Sequence, residues 1–121
     1  MTGNAPGPEL SVTTLEYDRG GPCAVVSLAG RAGIDDCGWI RRLLELEAAR
    51  GPGRLVVDLS RLSVMDWWVA LILSWAGRVV SRRGGVLVLA SPQPAVARLL
   101  DAAGAAKVAA AHDRAPQASS A

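Results

Sequence analysis

The residues able to do chemistry are few, and they gather around one turn. Asp66 follows a brief connection, Ser60 to Met65, and Trp67, Trp68, Val69, Ala70 and Leu71 come directly after it. A carboxylate in that position accepts hydrogen bonds from the first free N–H groups of a helix, and its charge suits the positive end of the helix dipole. No His, Lys or nucleophile adjoins it, so capping rather than acid–base catalysis is its expected work. Ser60 and Ser63 are the only hydroxyls close by. Local turn hydrogen bonding is their expected use. Asp35 and Asp36 are expected helix caps. Cys23 and Cys37 lack C-x-x-C spacing, and His112 is the single histidine, so no zinc set can be assembled. Two reduced thiols are predicted. No phosphate-cradling glycine loop is present, and no nucleophile–base pair stands out. The chain is expected to be no enzyme and to need no metal or cofactor.

Composition sets the outer limits. The chain has 121 residues, enough for one domain with a real core, and half of them are apolar. A formal net charge of +2 gives no strong attraction to nucleic acid or a membrane surface. The longest apolar run, Trp67 to Ala76, is too short to span a bilayer, and Arg78, Arg82 and Arg83 follow it. The opening MTGNAPGPEL has neither a basic nor an apolar signal-peptide region. A cytoplasmic protein without membrane insertion is expected.

The elements that would position Asp66 follow from pattern. Residues 1–8 are rich in Gly and Pro and are expected to be disordered, as is the low-complexity tail 114–121; a single domain spans 9–113. Leu10 to Tyr17 and Cys23 to Ala29 read as an antiparallel hairpin around a turn at Asp18 to Pro22. A helix capped by Asp35 or Asp36 runs to about Arg50, with Trp39, Ile40, Leu43, Leu44 and Leu46 apolar and Arg41, Arg42, Glu45 and Glu47 toward water. Leu55 to Leu59 is a short buried strand, Ser60 to Met65 a connection, and Trp67 to Arg83 a long helix. Val86 to Ala90 is apolar throughout, as strands buried on both faces are. A third helix runs from Ala95 to Ala103, and Lys107 to Ala111 is a short last strand. The order is β-β-α-β-α-β-α-(β): an α/β fold with a mixed sheet of four to five strands and about three helices packed on it.

Within the long helix, Trp68, Ile72, Trp75 and Val79 share one stripe, which makes Trp75 a core residue. Trp67 and Trp68 point about 100° apart, so one core cannot easily take both. Two readings stand: one indole buried and the other laid along the surface, or at least one exposed as an interface anchor. The stripe makes Trp67 the better candidate for exposure.

Three segments, in order and spacing, resemble the STAS domain, the fold of anti-sigma factor antagonists. They are Leu55-Val56-Val57-Asp58-Leu59-Ser60 with Val64-Met65-Asp66; Arg82-Arg83-Gly84-Gly85-Val86-Leu87-Val88-Leu89; and Ser91-Pro92 through Val96 and Leu99-Leu100 to Val108. The resemblance covers about residues 10 to 113. It implies a regulator without enzymatic activity that docks an anti-sigma factor, a serine kinase of the histidine-kinase-like ATPase type, through the turn and helix starting at Asp66. Asp66, Trp67, Trp68, Val69 and Leu71 are the expected partner-binding residues. A homodimer is compatible with it. The alternative is a structural adaptor, in a larger assembly or as the STAS subunit of a membrane transport complex. Members of the family carry a phosphoacceptor serine or threonine just after the aspartate matching Asp66. Here those positions are Trp67 and Trp68, and indole has no hydroxyl. The family's Gly-x-Leu-Asp becomes Gly30-Arg31-Ala32-Gly33, so the aspartate expected near the phosphorylation site is Gly33. Ser60 and Ser63 remain as substitute acceptors.

Overall fold

Successive strand residues point to opposite faces of the sheet, and among the described residues three amphipathic helices cover one of these faces. The computed structural model describes residues 9–17, 23–50, 53–105 and 110–112. Strands β1 (Leu10–Tyr17) and β2 (Cys23–Ala32) pair antiparallel. Strands β3 (Arg54–Met65), β4 (Val86–Ala90) and β5 (Ala110–His112) then add in parallel, in the order β1-β2-β3-β4-β5. Helices α1 (Cys37–Ala48), α2 (Trp67–Arg82) and α3 (Pro94–Ala102) follow β2, β3 and β4. A single 3-10 turn, Ile34–Asp36, leads into α1. The α/β architecture and its element order are those expected.

One core lies between sheet and helices. Val26 and Leu28 of β2, Leu55, Val57 and Leu59 of β3, and Leu87 and Leu89 of β4 meet Ile40 and Leu44 of α1 and Leu73 of α2. Val96 and Leu100 of α3 close it. The strand residues between these, Val25, Val56 and Val88, form a smaller apolar row on the other face. Both faces of β4 are therefore buried from Leu87 to Ala90, as its unbroken apolar run requires, while Val86 at its start is exposed.

Several expectations change. The segment Ser60 to Met65 is not a connection; it is the second half of β3 and pairs with an extended β2, Gly30 with Leu62 and Ala32 with Met65. Two register irregularities, between Ser27 and Ala29 and between Gly30 and Arg31, let this long pair continue past Gly30, whose φ of 98° suits glycine. Glu47 does not face water: its side chain is 8% exposed and its carboxylate lies 3.8 Å from Arg50 Nε. Neither Asp35 nor Asp36 caps through its side chain the helix that follows. Instead the buried Asp36 carboxylate accepts the Gly33 N–H at 2.9 Å, while the Asp36 N–H donates to the Gly33 carbonyl at 3.0 Å. Helix α3 starts with Pro94 in its first turn and has no side-chain cap. The last strand is Ala110–His112; Lys107, residues 1–8, the 18–22 turn and the 114–121 tail lie outside the described residues.

Candidate functional site

Asp66 is where the long parallel pair ends and α2 begins. Its backbone N–H donates to the Ala32 carbonyl at 2.9 Å, which ties the end of β3 to the end of β2. Its Oδ1 accepts the Trp68 N–H at 2.9 Å, and its carbonyl accepts the Val69 N–H at 3.0 Å. Asp66 is thus the cap that its position predicts, and it fixes the direction in which the two indoles leave the helix.

Both indoles are exposed: Trp67 by 41% and Trp68 by 54%. No core takes either one. The buried stripe of α2 is Val69, Ala70, Leu73, Ala76 and Val80, with the small Ala70, Ala76 and Gly77 in it. Small residues let the helix lie close on the sheet, and this turns the bulkier Trp68, Ile72 and Trp75 toward the flank. The expected stripe through Trp68 has the right period but the wrong face. Trp75 is accordingly half-buried at the edge of the core, with the Arg41 guanidinium 5.0 Å from its ring centroid. Val69 needs the larger correction: it is 0% exposed, because it begins the core stripe, and it cannot touch a partner. Leu71 is half-buried on the flank.

Two hollows flank the indoles. One, about 590 Å³, lies at the ends of β2 and β3 and is lined by Arg31, Gly33, Asp35, Val64, Asp66 and Trp67. Glu9 also borders it and pairs with Arg31 at 3.0 Å, an exposed contact. The other, about 430 Å³, is an apolar groove between α1 and α2, lined by Ile34, Cys37 and Arg41 on one side and Trp68, Leu71, Ile72 and Trp75 on the other. Ile34 and Val64, 57% and 42% exposed, extend the apolar surface around the indoles. Sequence reasoning passed over both. Ile34 was marked only by being an apolar residue set between Gly33 and two aspartates.

Burial first, and then the carboxylates of Asp66, Asp36 and Asp35, push the Cys37 thiol above its ordinary pKa, which makes it a poor nucleophile. Both cysteines are free. Ser63 Oγ donates to the Gly30 carbonyl at 2.9 Å, and Ser60 N–H donates to Asp58 Oδ1 at 3.0 Å while its carbonyl accepts from Gln93 Nε2. These two serines lie on exposed positions of β3 and not in a turn. Among the described residues, no group of three or more His, Cys, Asp or Glu is placed to hold a metal.

The family model described as Mlab, STAS domain matches residues 15–110. The chain belongs to the STAS domain family. Its fold is also that of solved structures. An anti-sigma factor antagonist from Mycobacterium paratuberculosis superposes with a TM-score of 0.71 at 23% identity, over 96% of this chain and 94% of that one. The anti-sigma factor antagonist SpoIIAA in its unphosphorylated form superposes with a TM-score of 0.68 at 17% identity, over 89% of this chain and 92% of that one. No curated protein sequence matches the chain. No helix of the described STAS domain is long and apolar enough to cross a membrane.

Proposed function

We propose that this STAS domain is a regulatory protein-binding module of the anti-sigma factor antagonist type. It docks an anti-sigma factor, a serine kinase of the histidine-kinase-like ATPase type, through the turn at Asp66 and the first turns of α2. The observation that carries this is the pair of exposed indoles at the start of α2, where the family has its phosphoacceptor. An indole held at a helix start offers a large apolar area and loses little side-chain entropy on docking. With no hydroxyl at either position, docking is not switched off by phosphate at this turn. The protein acts by occupancy and not by catalysis.

A second reading draws on the same two residues. A surface that cannot be phosphorylated also suits a constant partner, as for a structural adaptor in a larger assembly or in a membrane transport complex. Capture of the tagged protein from its native host, with identification of what binds, separates the two. A histidine-kinase-like ATPase in the bound fraction supports the first reading, and a transporter subunit replaces it with the second. The purified partner is then titrated against Trp67→Ala and Trp68→Ala. Unchanged affinity in both variants would remove the turn from the interface and overturn the docking site.

A further inference from the structure

The groove between α1 and α2 has a direction. Helices α1 and α2 follow the ends of the parallel strands β2 and β3, so both have their N-termini at the same end of the molecule. At that end stand the exposed Asp35 and the half-buried Asp66, with Asp36 buried behind them. All three line the neighbouring hollow, which meets the groove at Ile34, a residue that lines both. Among the described residues, Arg41, one turn further along α1, is the one cation in the lining, and it lies over Trp75. The floor and walls between are apolar: Ile34 and Cys37 on one side, Leu71, Ile72 and Trp75 on the other. From Trp68 to Trp75 the groove covers two turns of α2, about 10 Å at the rise of a helix.

We propose that this groove receives an amphipathic helix of the docked protein, laid antiparallel to α1 and α2, with a basic C-terminal turn over Asp35 and Asp66 and an acidic N-terminal turn over Arg41. The inference rests on the reading that this face docks a protein, and it adds which element docks and in which direction. An apolar trough two turns long matches a helix that presents side chains at i, i+3, i+4 and i+7. Charge decides its direction. Helices carry cations favourably at their C-terminal turn and anions at their N-terminal turn, so the antiparallel orientation satisfies groove and helix together. The parallel orientation would set anions against Asp35 and Asp66 and cations against Arg41. The aromatic walls act as anchors: Trp68 is exposed at the acidic end, and Trp75 is held by Arg41 at the other.

Two stapled helical peptides of one composition test this on the full chain. Both carry Leu at i, i+3, i+4 and i+7; one has Glu in its first turn and Arg in its last, and the other has the charges exchanged. Calorimetry and tryptophan fluorescence read the affinities. The Glu-first peptide is expected to bind about tenfold more tightly. The double variant Asp35→Lys with Arg41→Glu is expected to invert the preference. Equal affinity for the two peptides, binding of neither, or an unchanged preference in the charge-exchanged variant overturns the proposal. Failure of the underlying docking reading has a separate signature, a native partner whose affinity is the same for wild type, Trp67→Ala and Trp68→Ala.

Discussion

Trp67 and Trp68 lie where the helix cap points them, outside the core, so truncating either removes contact area without opening a cavity. Trp67→Ala is expected to weaken partner binding by on the order of 2 kcal/mol, as central aromatic anchors do. Its folding stability should move by no more than about 0.5 kcal/mol, the usual range for a surface change. Leu73→Ala, at a fully buried position of the same helix, should instead cost roughly 2–5 kcal/mol of stability. Calorimetry and denaturant melts measure the two effects separately. Incubation with a cognate kinase and ATP should leave the Asp66 turn unmodified by intact-mass and peptide mass spectrometry. Phosphate on Ser60 or Ser63 would show that the switch has moved into β3 and would end the idea of unswitched docking. Cys37 provides a third test. Its raised pKa means less thiolate near neutral pH, so iodoacetamide should react more slowly with it in the folded chain than in the denatured one. Asp66→Asn removes one of the charges that raise it while keeping a good cap, and should speed the reaction.

At the scale of elements, the long β2–β3 pair is what carries the Asp66 turn, where docking is proposed. Gly30 sits at its irregularity with φ of 98°, and a Cβ there would collide with the Glu9 carbonyl oxygen. Its own carbonyl accepts from Ser63 Oγ, and the neighbouring Arg31 N–H donates to Glu9 O at 2.9 Å. Gly30→Ala should therefore destabilise the protein by about 1–3 kcal/mol, through a strained backbone and a displaced strand end. Gly38 lies in the first turn of α1, where a Cβ would find open space within 4 Å, and helical φ suits any residue. Gly38→Ala should stabilise the chain by about 0.4–1 kcal/mol. Thermal or urea melts of the two variants should move in opposite directions. Equal shifts would mean that the Gly30 irregularity relaxes at little cost.

At the scale of the molecule, the fold holds by packing and not by cross-links. Cys23 begins β2 and Cys37 begins α1, and both are free thiols. Titration under denaturing conditions, on protein kept in its native redox state, should find two reactive thiols. Loss of both to an intramolecular disulfide would contradict this arrangement. Among the described residues the helices cover one face of the sheet, and α1 and α2 lie side by side on it and leave the groove between them at the flank. The proposed docking face is thus assembled from segments distant in sequence: Ile34 and Arg41 before and within α1, Val64 at the end of β3, and Trp67 to Trp75 of α2.

Local pattern alone determined the element order, the Asp66 cap and the buried β4, because each depends on neighbours in the chain or on residue type. The cap needs only a carboxylate two residues before a free N–H, and β4 needs only an unbroken apolar run. Tertiary structure decided three further things. Ser60 to Met65 became strand because an extended β2 offers it a partner, which no property of its own residues supplies. The stripe of α2 that meets the sheet was undecidable from period alone, since Trp68-Ile72-Trp75 and Val69-Leu73-Ala76 repeat equally well. Close packing selects the stripe that holds Ala70, Ala76 and Gly77, and this choice buries Val69 and exposes both indoles. Glu47 is drawn in and Ile34 left out for the same reason: exposure is settled by what lies opposite a residue, and periodicity describes only the element that carries it.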